Sequence, residues 1–245
     1  MRNDIIIGRN PVLEAMRAGR AIDKIYIKDG ESEGSLRKII GAARGAGVIV
    51  TAVSRGKLDE LAEGGNHQGV VALAAAHEYA SVEDIFDAAE KRGEQPFIVI
   101  CDKITDPHNL GSIIRTANAA GAHGIIIPKH DSVTLNSTVM KVAAGAAEFT
   151  PVARVNNIAR TMDELKKRGV WITGTAANAE KSLYEADFGG AVAICIGSEG
   201  NGLSRLTEEK CDFLVSIPMK GETESLNASV AAALVLYEVM RTREK

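Results

Sequence analysis

The stretch FIVICDKITDPHNLGSIIRTANAA, residues 97–120, decides the fold of the larger part of this chain. It opens with five apolar residues in a row, passes through a polar loop that contains Asp106 and Asn109, and continues into a region rich in small residues. A short continuous apolar run is typical of a strand that is buried on both faces, as in a parallel sheet. The stretch therefore predicts a strand, a loop and a helix of an α/β fold.

The same pattern recurs along the rest of the chain. Further apolar runs occupy 124–127, 170–173, 191–196 and 213–217. Helical stretches are predicted at 111–120, 156–168 and 226–241. This alternation favours a parallel sheet with helices on both faces, and periodicity alone would make it an unknotted doubly wound sheet. Ligands of such a sheet bind beyond the carboxyl ends of the strands.

The first 76 residues form a separate pattern. Asn10-Pro11 opens a helix, since proline suits a first helical position, and strand-like runs at 25–27, 48–50 and 68–74 alternate with a helical run at 35–44. We predict a small α/β domain over 1–76 and a larger domain over 96–245. Between them, 77–95 is rich in charge and ends in Gly and Pro, which indicates a connector rather than core.

Composition limits the classes of protein to consider. The chain has 245 residues, of which 45% are hydrophobic, enough for a buried core. No apolar run approaches the ~20 residues that span a bilayer, and the start, Met1 to Ile5, lacks the apolar region of a signal peptide. We therefore expect no membrane association and a cytoplasmic location. The three cysteines and five histidines show no metal-ligand spacing, which predicts reduced cysteines and no metal site.

The charge distribution gives little help with the choice of ligand. The net charge is −3, but residues 1–76 carry eleven Lys and Arg against nine Asp and Glu, whereas 77–95 carry two against six. A mildly basic first domain is a weak electrostatic footprint, and alone it does not indicate nucleic-acid binding.

Three polar loops follow or flank the apolar runs, and strand-exit loops of this kind are expected to form one site. In the first, Arg115 is predicted within the first turn or so of a helix that begins near Gly111, where its guanidinium suits a phosphate or sugar oxygen. On the local pattern alone, an ordinary solvated arginine on an amphipathic helix is the slightly better explanation. Asn109 could cap the same helix or hold a ligand, and capping is the commoner role.

The second and third loops supply further candidates. Glu199 projects from the Gly-rich segment 197–203, where glycines let the backbone approach a ligand, although a simple turn is the alternative. Ser225 and Asn227 stand at the start of the last helix, and N-capping explains one of them better than both. The usual glycine-rich nucleotide signatures are absent: there is no G-x-G-x-x-G and no P-loop lysine.

Together the loops resemble the three motifs of the SpoU (TrmH-type) ribose 2′-O-methyltransferases, a branch of the SPOUT superfamily. The first motif is DPHNLG with RTA at 115–117, the second is IGSEGNGL at 196–203, and the third runs from IPM at 217–219 to SLN at 225–227. The segments GRNPVLEA at 8–15 and HQGV at 67–70 resemble the small RNA-binding domain of part of that family. The resemblance covers nearly the whole chain.

The resemblance implies a fold and a cofactor. The larger domain would be a SPOUT domain with a deep trefoil knot, packed into a homodimer whose partner chain completes the active site. S-adenosylmethionine would bind in the knot loops near Gly174, Gly197, Ile217, Met219 and Leu226. The smaller domain would grip RNA through Arg9, Asn10 and His67.

The resemblance also implies a reaction. Its members nearest to this chain methylate the ribose of a guanosine in the peptidyl-transferase region of 23S rRNA, on naked rRNA or on a large-subunit assembly particle. The family's usual assignment makes Arg115 the base, with Asn109, Glu199, Ser225 and Asn227 orienting the groups. A protonated guanidinium has no lone pair to accept a proton, so Arg115 is either the base or a clamp while the proton leaves to phosphate, water or Glu199.

Three other interpretations are compatible with the sequence. The chain could be a SpoU relative that acts on tRNA or on another rRNA nucleotide. It could instead be a non-catalytic ribosome-assembly factor that binds rRNA through residues 1–76. A small-molecule α/β enzyme is a more distant alternative.

Overall fold

The computed structural model describes residues 5–30, 34–223 and 225–244. The chain divides into two compact units, a smaller one of residues up to 78 together with 134–137, and a larger one of residues 79–133 together with 138 onward. The expectation about a signal peptide depends on Met1 to Ile5, and residues 1–4 of this segment lie outside the described residues.

The smaller unit is a four-stranded sheet with helices on both faces. Its elements are β1 (Ile5–Ile7), α1 (Arg9–Arg17), β2 (Ile22–Lys28), α2 (Ser35–Gly45), β3 (Ile49–Val53), α3 (Arg55–Leu61) and β4 (Val70–Ala74). The strand order is β1-β4-β2-β3, with β2 parallel to β3 and β4 antiparallel to both β1 and β2. As a result, β1, β2 and β3 end at the same edge of the sheet at which β4 begins.

Each face of this sheet has its own core. Apolar side chains of α1 and α2, among them Val12 and Ile39, pack on one face, and Leu58 of α3 packs on the other with Val71. The predicted helices and the strands around 25–27, 48–50 and 68–74 are present. Strand β1 was not predicted, because three residues are too few to show a period.

The larger unit is built on a six-stranded sheet. Its elements are α4 (Val82–Arg92), β5 (Phe97–Cys101), α5 (Pro107–Ala119), β6 (Gly124–Pro128), α6 (Ser137–Ala143), β7 (Val152–Val155), α7 (Ile158–Lys167), β8 (Trp171–Thr175), β9 (Val192–Ile196), α8 (Arg205–Glu209), β10 (Phe213–Val215) and α9 (Ala228–Arg243). The strand order is β10-β8-β9-β5-β6-β7, and every pair is parallel. The predicted parallel sheet is confirmed, and the carboxyl ends of all its strands share one edge.

Two parts of the larger unit differ from the sequence-based expectation. Strand β7 was missed, because Pro151 precedes it and Arg154 interrupts its apolar run. Within the predicted connector, 82–92 forms α4, and Ile85 on this helix is fully buried in the core of the sheet. Ile85 packs directly on Gly124: a Cβ atom on Gly124 would lie only 2.4 Å from Cγ1 of Ile85. This helix was mistaken for a connector because only one of its faces is apolar.

Candidate active site

The loop after β5 is shaped by the start of α5. The carboxylate of Asp106 accepts hydrogen bonds from the backbone N–H of His108 (2.7 Å) and of Asn109 (2.9 Å), and Pro107 takes the first helical position. The helix therefore begins four residues before the predicted Gly111. Asp106, and not Asn109, is the cap, so the prediction of Asn109 as a possible cap is wrong. The Asn109 side chain is therefore available to other partners, and the residue as a whole is only 8% exposed.

The loop after β9 is a tight hairpin that carries Glu199. Ser198 and Gly202 exchange two backbone hydrogen bonds of 2.9 Å each. Gly200 and Gly202 have φ values of 83° and 65°, which glycine adopts without strain. A Cβ atom on Gly197 would lie 2.1 Å from the carbonyl carbon of Gly202, so the base of the hairpin closes only around glycine.

The third loop ends at the N-terminus of α9. The side-chain oxygen of Asn227 accepts hydrogen bonds from the backbone N–H of Ser229 (3.0 Å) and Val230 (3.4 Å) and from the Ser229 hydroxyl (2.7 Å). Asn227 is therefore the helix cap. Since its oxygen is occupied by these donors, its NH₂ group is turned toward the other two loops.

Asn109, Glu199 and Asn227 meet at the carboxyl edge of the sheet. The NH₂ group of Asn227 donates to Oδ1 of Asn109 at 2.9 Å and to Oε2 of Glu199 at 3.3 Å. The NH₂ group of Asn109 donates to the same Oε2 at 3.2 Å. These bonds hold the Glu199 carboxylate in place through one oxygen. No described residue makes a hydrogen bond to Oε1, which is left to accept one from a ligand.

A cavity of about 340 Å³ adjoins this cluster, within the range of small-molecule sites. It is enclosed by the loops after β8, β9 and β10 and by the start of α9. Six of the residues predicted for the site line it: Gly197, Glu199, Ile217, Met219, Ser225 and Leu226. The structure thus brings together most of the residues that the sequence places in three separate loops.

Gly174 and Arg115 do not line this cavity. Gly174 lies within β8, where a Cβ atom would be 2.7 Å from Sγ of Cys211 and 2.8 Å from Cδ1 of Leu203, so its role is close packing. Arg115 is on the third turn of α5, not on the first turn as predicted. Its side chain is exposed, and no hydrogen bond or ion pair joins it to the residues that the structure describes. It is not held at the mouth of its own chain's cavity.

Two further groups of the site were missed in the sequence. Asp102 is buried, and its carboxylate accepts a hydrogen bond from the backbone N–H of Ser204 at 2.7 Å. The backbone N–H of Asp102 donates to the carbonyl of Ile196. Asp102 thereby joins the loop after β5 to the loop after β9. The segment 175–178 after β8 also lines the cavity. Asp102 could have been predicted, because it is a polar residue directly after a buried strand. The segment 175–178 could not, because its sequence has no distinctive pattern.

The predicted RNA-contacting residues lie in the smaller unit. Nδ1 of His67 accepts the backbone N–H of Gly69 (3.0 Å), and its Nε2 donates to Asp59 (3.0 Å), so both ring nitrogens are engaged within the protein. Arg9 donates through Nε to the carbonyl of Gln68 at 2.8 Å. Asn10 is exposed on the first turn of α1. Arg9, at the start of α1, therefore contacts the loop that carries His67.

The cysteines belong to the core. Burial raises the pKa of the Cys101 thiol to about 12. The pKa of Cys195 is also raised, first by its hydrogen bond with Cys211 and then by burial. Thiols in this state are poor nucleophiles. In the described part of the chain, no three His, Cys, Asp or Glu side chains converge as metal ligands would, and no helix is long and apolar enough to cross a bilayer.

Comparisons with known proteins point to one family. Residues 96–237 match the SpoU rRNA Methylase family, and residues 5–80 match the RNA 2′-O ribose methyltransferase substrate-binding family. A Bacillus subtilis protein named "Putative TrmH family tRNA/rRNA methyltransferase YacO" is 49% identical over 242 residues, which cover 99% of this chain and 97% of that protein. A Staphylococcus aureus (strain MSSA476) protein with the same family name is 46% identical over 243 residues, 99% of this chain and 98% of its own.

Solved structures agree with the sequence relatives. The SpoU methyltransferase AviRb from Streptomyces viridochromogenes, crystallised with AdoMet, superposes with a TM-score of 0.62 at 28% identity and covers 98% of this chain and 90% of its own. The A. aeolicus TrmH/SpoU tRNA modifying enzyme gives a TM-score of 0.57 at 29% identity over 62% of this chain and 77% of its own.

Proposed function

The chain belongs to the SpoU rRNA methylase family, and we propose that it transfers the methyl group of S-adenosylmethionine to the ribose 2′-OH of a guanosine in the peptidyl-transferase region of 23S rRNA. The observation that carries the proposal is the hydrogen-bonded cluster of Asn109, Glu199 and Asn227 beside a cavity for a small molecule. The matched substrate-binding family over residues 5–80 supports RNA as the substrate. The choice of a 23S rRNA guanosine follows from the motifs that the sequence shares with such enzymes.

The residues of the cavity fit S-adenosylmethionine. Ile217, Met219 and Leu226 offer apolar surface to a flat ring, and Asn178 and Asn201 offer amide groups to polar atoms. The closed hairpin at Gly197 brings backbone next to the ligand without an intervening side chain. When bound, the cofactor would supply a methyl group activated by its sulfonium, so that the S–C bond breaks to a neutral thioether as the 2′ oxygen takes the methyl group. The relative AviRb was crystallised with AdoMet.

The protein must place the ribose 2′ oxygen in line with the methyl carbon and receive its proton. Alignment of the two reacting atoms removes a large entropic cost from the reaction. Glu199 is held by two amide donors on one oxygen, and its second oxygen is free to accept from a hydroxyl. Ser225 also lines the cavity and can orient the ribose. Two assignments of the proton acceptor are compatible with this arrangement. In the first, Glu199 takes the proton and Arg115 binds the adjoining phosphate. In the second, Arg115 itself is the base.

Arg115 acts in this scheme from the partner chain of a homodimer. Its side chain is exposed and does not line the cavity of its own chain, which leaves it available to a neighbouring subunit. On α9, which packs against α5, Val230, Leu234 and Tyr237 are 48%, 40% and 47% exposed and form one apolar stripe. Such a stripe is typical of a surface that a second subunit covers. We place the dimer interface on this stripe.

Other parts of the proposal rest on the family resemblance. The loops after β9 and β10 would belong to a deep trefoil knot, and the two domains would be residues 1–76 and 96–245. The reaction would take place in the cytoplasm, on rRNA or on an assembly particle of the large subunit.

The direct test is transfer of labelled methyl from S-adenosylmethionine to in vitro transcribed 23S rRNA, with the product mapped by blocked alkaline cleavage. One protected guanosine in the peptidyl-transferase region is the expected result. Transfer to tRNA but not to 23S rRNA would replace the proposed substrate, in agreement with the tRNA enzyme among the similar structures. Cofactor binding without transfer to either RNA would require an assembly particle as the substrate, and failure on that particle too would favour a non-catalytic assembly factor.

A further inference from the structure

One acidic residue of the cofactor cavity takes no part in the hydrogen-bonded cluster around Glu199. Glu208 lies on α8 and lines the cavity. The cluster is built from other elements, with Asn109 on α5, Glu199 in the hairpin after β9 and Asn227 at the start of α9. Glu208 is half-buried, and no hydrogen bond or ion pair joins its carboxylate to the residues that the structure describes. This carboxylate is therefore available to a ligand in the cavity.

The neighbours of Glu208 fix α8 to the rest of the larger unit. Thr207 is buried, and its carbonyl accepts a hydrogen bond from the Cys211 thiol at 3.3 Å. On the other side of Glu208, Lys210 pairs with Asp163 at 2.6 Å. Because the helix is held by these contacts, Glu208 can meet a ligand without rearrangement of the backbone that carries it.

The charge of the lining gives the chemistry of the group that Glu208 would bind. Of the described residues that line the cavity, Glu199 and Glu208 are acidic and none is Lys, Arg or His. A cleft lined by one sign of charge favours a ligand of the opposite sign. S-adenosylmethionine is such a ligand, since at neutral pH it carries a sulfonium and an ammonium group against one carboxylate. The lining and the cofactor are thus complementary in charge.

We propose that Glu208 binds the α-ammonium group of S-adenosylmethionine. An ammonium group donates N–H bonds to a carboxylate, and such charge-assisted hydrogen bonds are roughly twice as strong as neutral ones. The sulfonium has no N–H to donate, and the reaction requires its methyl carbon beside the acceptor oxygen, which Glu199 serves. Glu208 is therefore a cofactor-binding residue that holds the amino-acid end of the ligand and takes no part in proton transfer. The inference rests on the cofactor of the proposed function and not on its RNA substrate.

The test is isothermal titration calorimetry of the full chain with three ligands in the absence of RNA. S-adenosylmethionine and S-adenosylhomocysteine both carry the ammonium group, only the former carries the sulfonium, and 5′-methylthioadenosine carries neither. For Glu208→Gln we expect affinity for the first two to fall on the order of tenfold, and affinity for 5′-methylthioadenosine to stay within about threefold of the parent. Glu208→Lys, which reverses the charge, should weaken the first two ligands further.

Glu209→Gln is the matched control. Glu209 is the next residue of the same helix, is exposed and pairs with Arg205 at 2.9 Å. This variant should bind all three ligands as the parent does. In methyl transfer, Glu208→Gln should raise the KM for S-adenosylmethionine and leave kcat near the parent value, as expected for a residue that binds the ground state and the transition state equally.

Three results would overturn the proposal. Unchanged affinity for S-adenosylmethionine in Glu208→Gln would remove the contact altogether. A loss for S-adenosylmethionine alone would place Glu208 at the sulfonium, and equal losses for all three ligands would mean that Glu208 shapes the cavity without binding a charge. Since the titrations contain no RNA, a parent protein that methylates no RNA would refute the proposed function and leave this inference standing.

Discussion

At the scale of single residues, the arrangement around Glu199 decides which atoms can react. Two asparagine NH₂ groups donate to Oε2, so Oε1 is the only carboxylate oxygen left for a substrate among the described contacts. A positioned carboxylate can act as a general base, which commonly contributes about 10²–10⁴-fold to a rate. Arg115, in contrast, makes no hydrogen bond or ion pair with the part of its own chain that the structure describes.

Glu199→Gln tests this role. The glutamine oxygen can still accept from Asn109 and Asn227, so the shape of the site should survive, but the group that faces the substrate becomes an NH₂ that cannot take a proton. We expect the single-turnover rate of methyl transfer to fall about 10²-fold or more, while binding of S-adenosylmethionine stays within a few-fold of the parent. Glu209→Gln, which removes an exposed carboxylate paired with Arg205, is the control. A rate within about threefold of the parent would assign the proton to another acceptor.

The sequence predicted the polar residues of this site better than their roles. Asn109, Glu199, Ser225 and Asn227 were predicted, because polar residues after buried strands must lie at one edge of a parallel sheet. The cap of α5 was misassigned, although Asp106 before Pro107 is a usual helix start. The mutual orientation of the two amides depends on hydrogen bonds across 118 positions, from Asn227 to Asn109, and no local pattern encodes it.

At the scale of elements, the hairpin after β9 depends on one glycine. Gly197→Ala would place a methyl group 2.1 Å from the backbone of Gly202, so the paired segment 198–202 must open. We expect affinity for S-adenosylmethionine to fall on the order of tenfold or more, because a displaced loop loses its contacts with the ligand. Isothermal titration calorimetry measures the change. The control is Gly190→Ala, where nothing lies within 4 Å of an added Cβ, and equal affinity in both variants would contradict the role of the hairpin.

The junction between the start of β5 and the end of α9 should be sensitive to acid. Nδ1 of the buried His123 accepts the N–H of Phe97 at 2.9 Å, and Nε2 donates to Glu94 at 3.0 Å. Arg243 donates to four nearby backbone carbonyls, those of Phe188, Gln95, Pro96 and Gly190. Burial and the charge of Arg92 lower the pKa of His123 below its usual range, and Glu94 opposes them. Protonation would replace the acceptor at Nδ1 with a donor and break the bond to Phe97.

The sign of the effect follows from proton linkage. Below about pH 6.5 this histidine binds a proton in the unfolded chain, whereas in the folded protein it stays neutral to lower pH. Because the unfolded state then binds more protons, the free energy of unfolding should decrease as the pH falls. Urea unfolding between pH 7.5 and 5.0 measures the slope for the parent and for His123→Gln, which cannot titrate. We expect a shallower dependence in the variant. Parallel curves would mean that His123 contributes nothing to the pH dependence.

Elements with a uniform environment were predicted well, and mixed ones were not. Strands β5 and β9 are buried along their whole length, so their apolar runs gave their positions within a residue. Strand β7 carries Arg154, and helix α4 presents acidic residues on one face and Ile85 on the other. A local sequence window contains residues from both faces of an element, so β7 and α4 look as polar as loops. Their buried face becomes apparent only from a packing partner, such as Gly124 for Ile85 of α4.

At the scale of the whole molecule, periodicity gives the strands but not their order. The sheet places β5 beside β9, whose paired residues lie 95 positions later (Phe97 with Val192), and β8 between β9 and β10. Long-range pairing of this kind is set by the packing of the complete sheet. For the same reason, an exposed stripe on α9 was not apparent from the sequence: the helix is apolar all round, and only burial of its other side by α5 and the sheet singles out Val230, Leu234 and Tyr237.

The stripe on α9 predicts how the molecule assembles. Leu234→Glu/Tyr237→Glu would place two like charges on the proposed interface, where burying an unpaired charge is costly. We expect sedimentation velocity to show a dimer for the parent and a monomer for the variant, with methyl transfer lost and S-adenosylmethionine binding retained. A parent that sediments as a monomer at micromolar concentration would remove the basis for a shared site.

A shared site makes a sharper prediction for mixtures of inactive proteins. If Arg115 serves the cavity of the partner chain, a heterodimer of Arg115→Ala and Glu199→Gln subunits contains one site with an intact Glu199 facing an intact Arg115. Random exchange of equal amounts makes half of the dimers mixed, each with one working site, so about a quarter of the parent activity should return. If Arg115 serves its own cavity, no combination restores an intact site and the mixture stays inactive. Methyl transfer after subunit exchange, compared with each variant alone, therefore tells whether α5 completes its own active site or that of its partner.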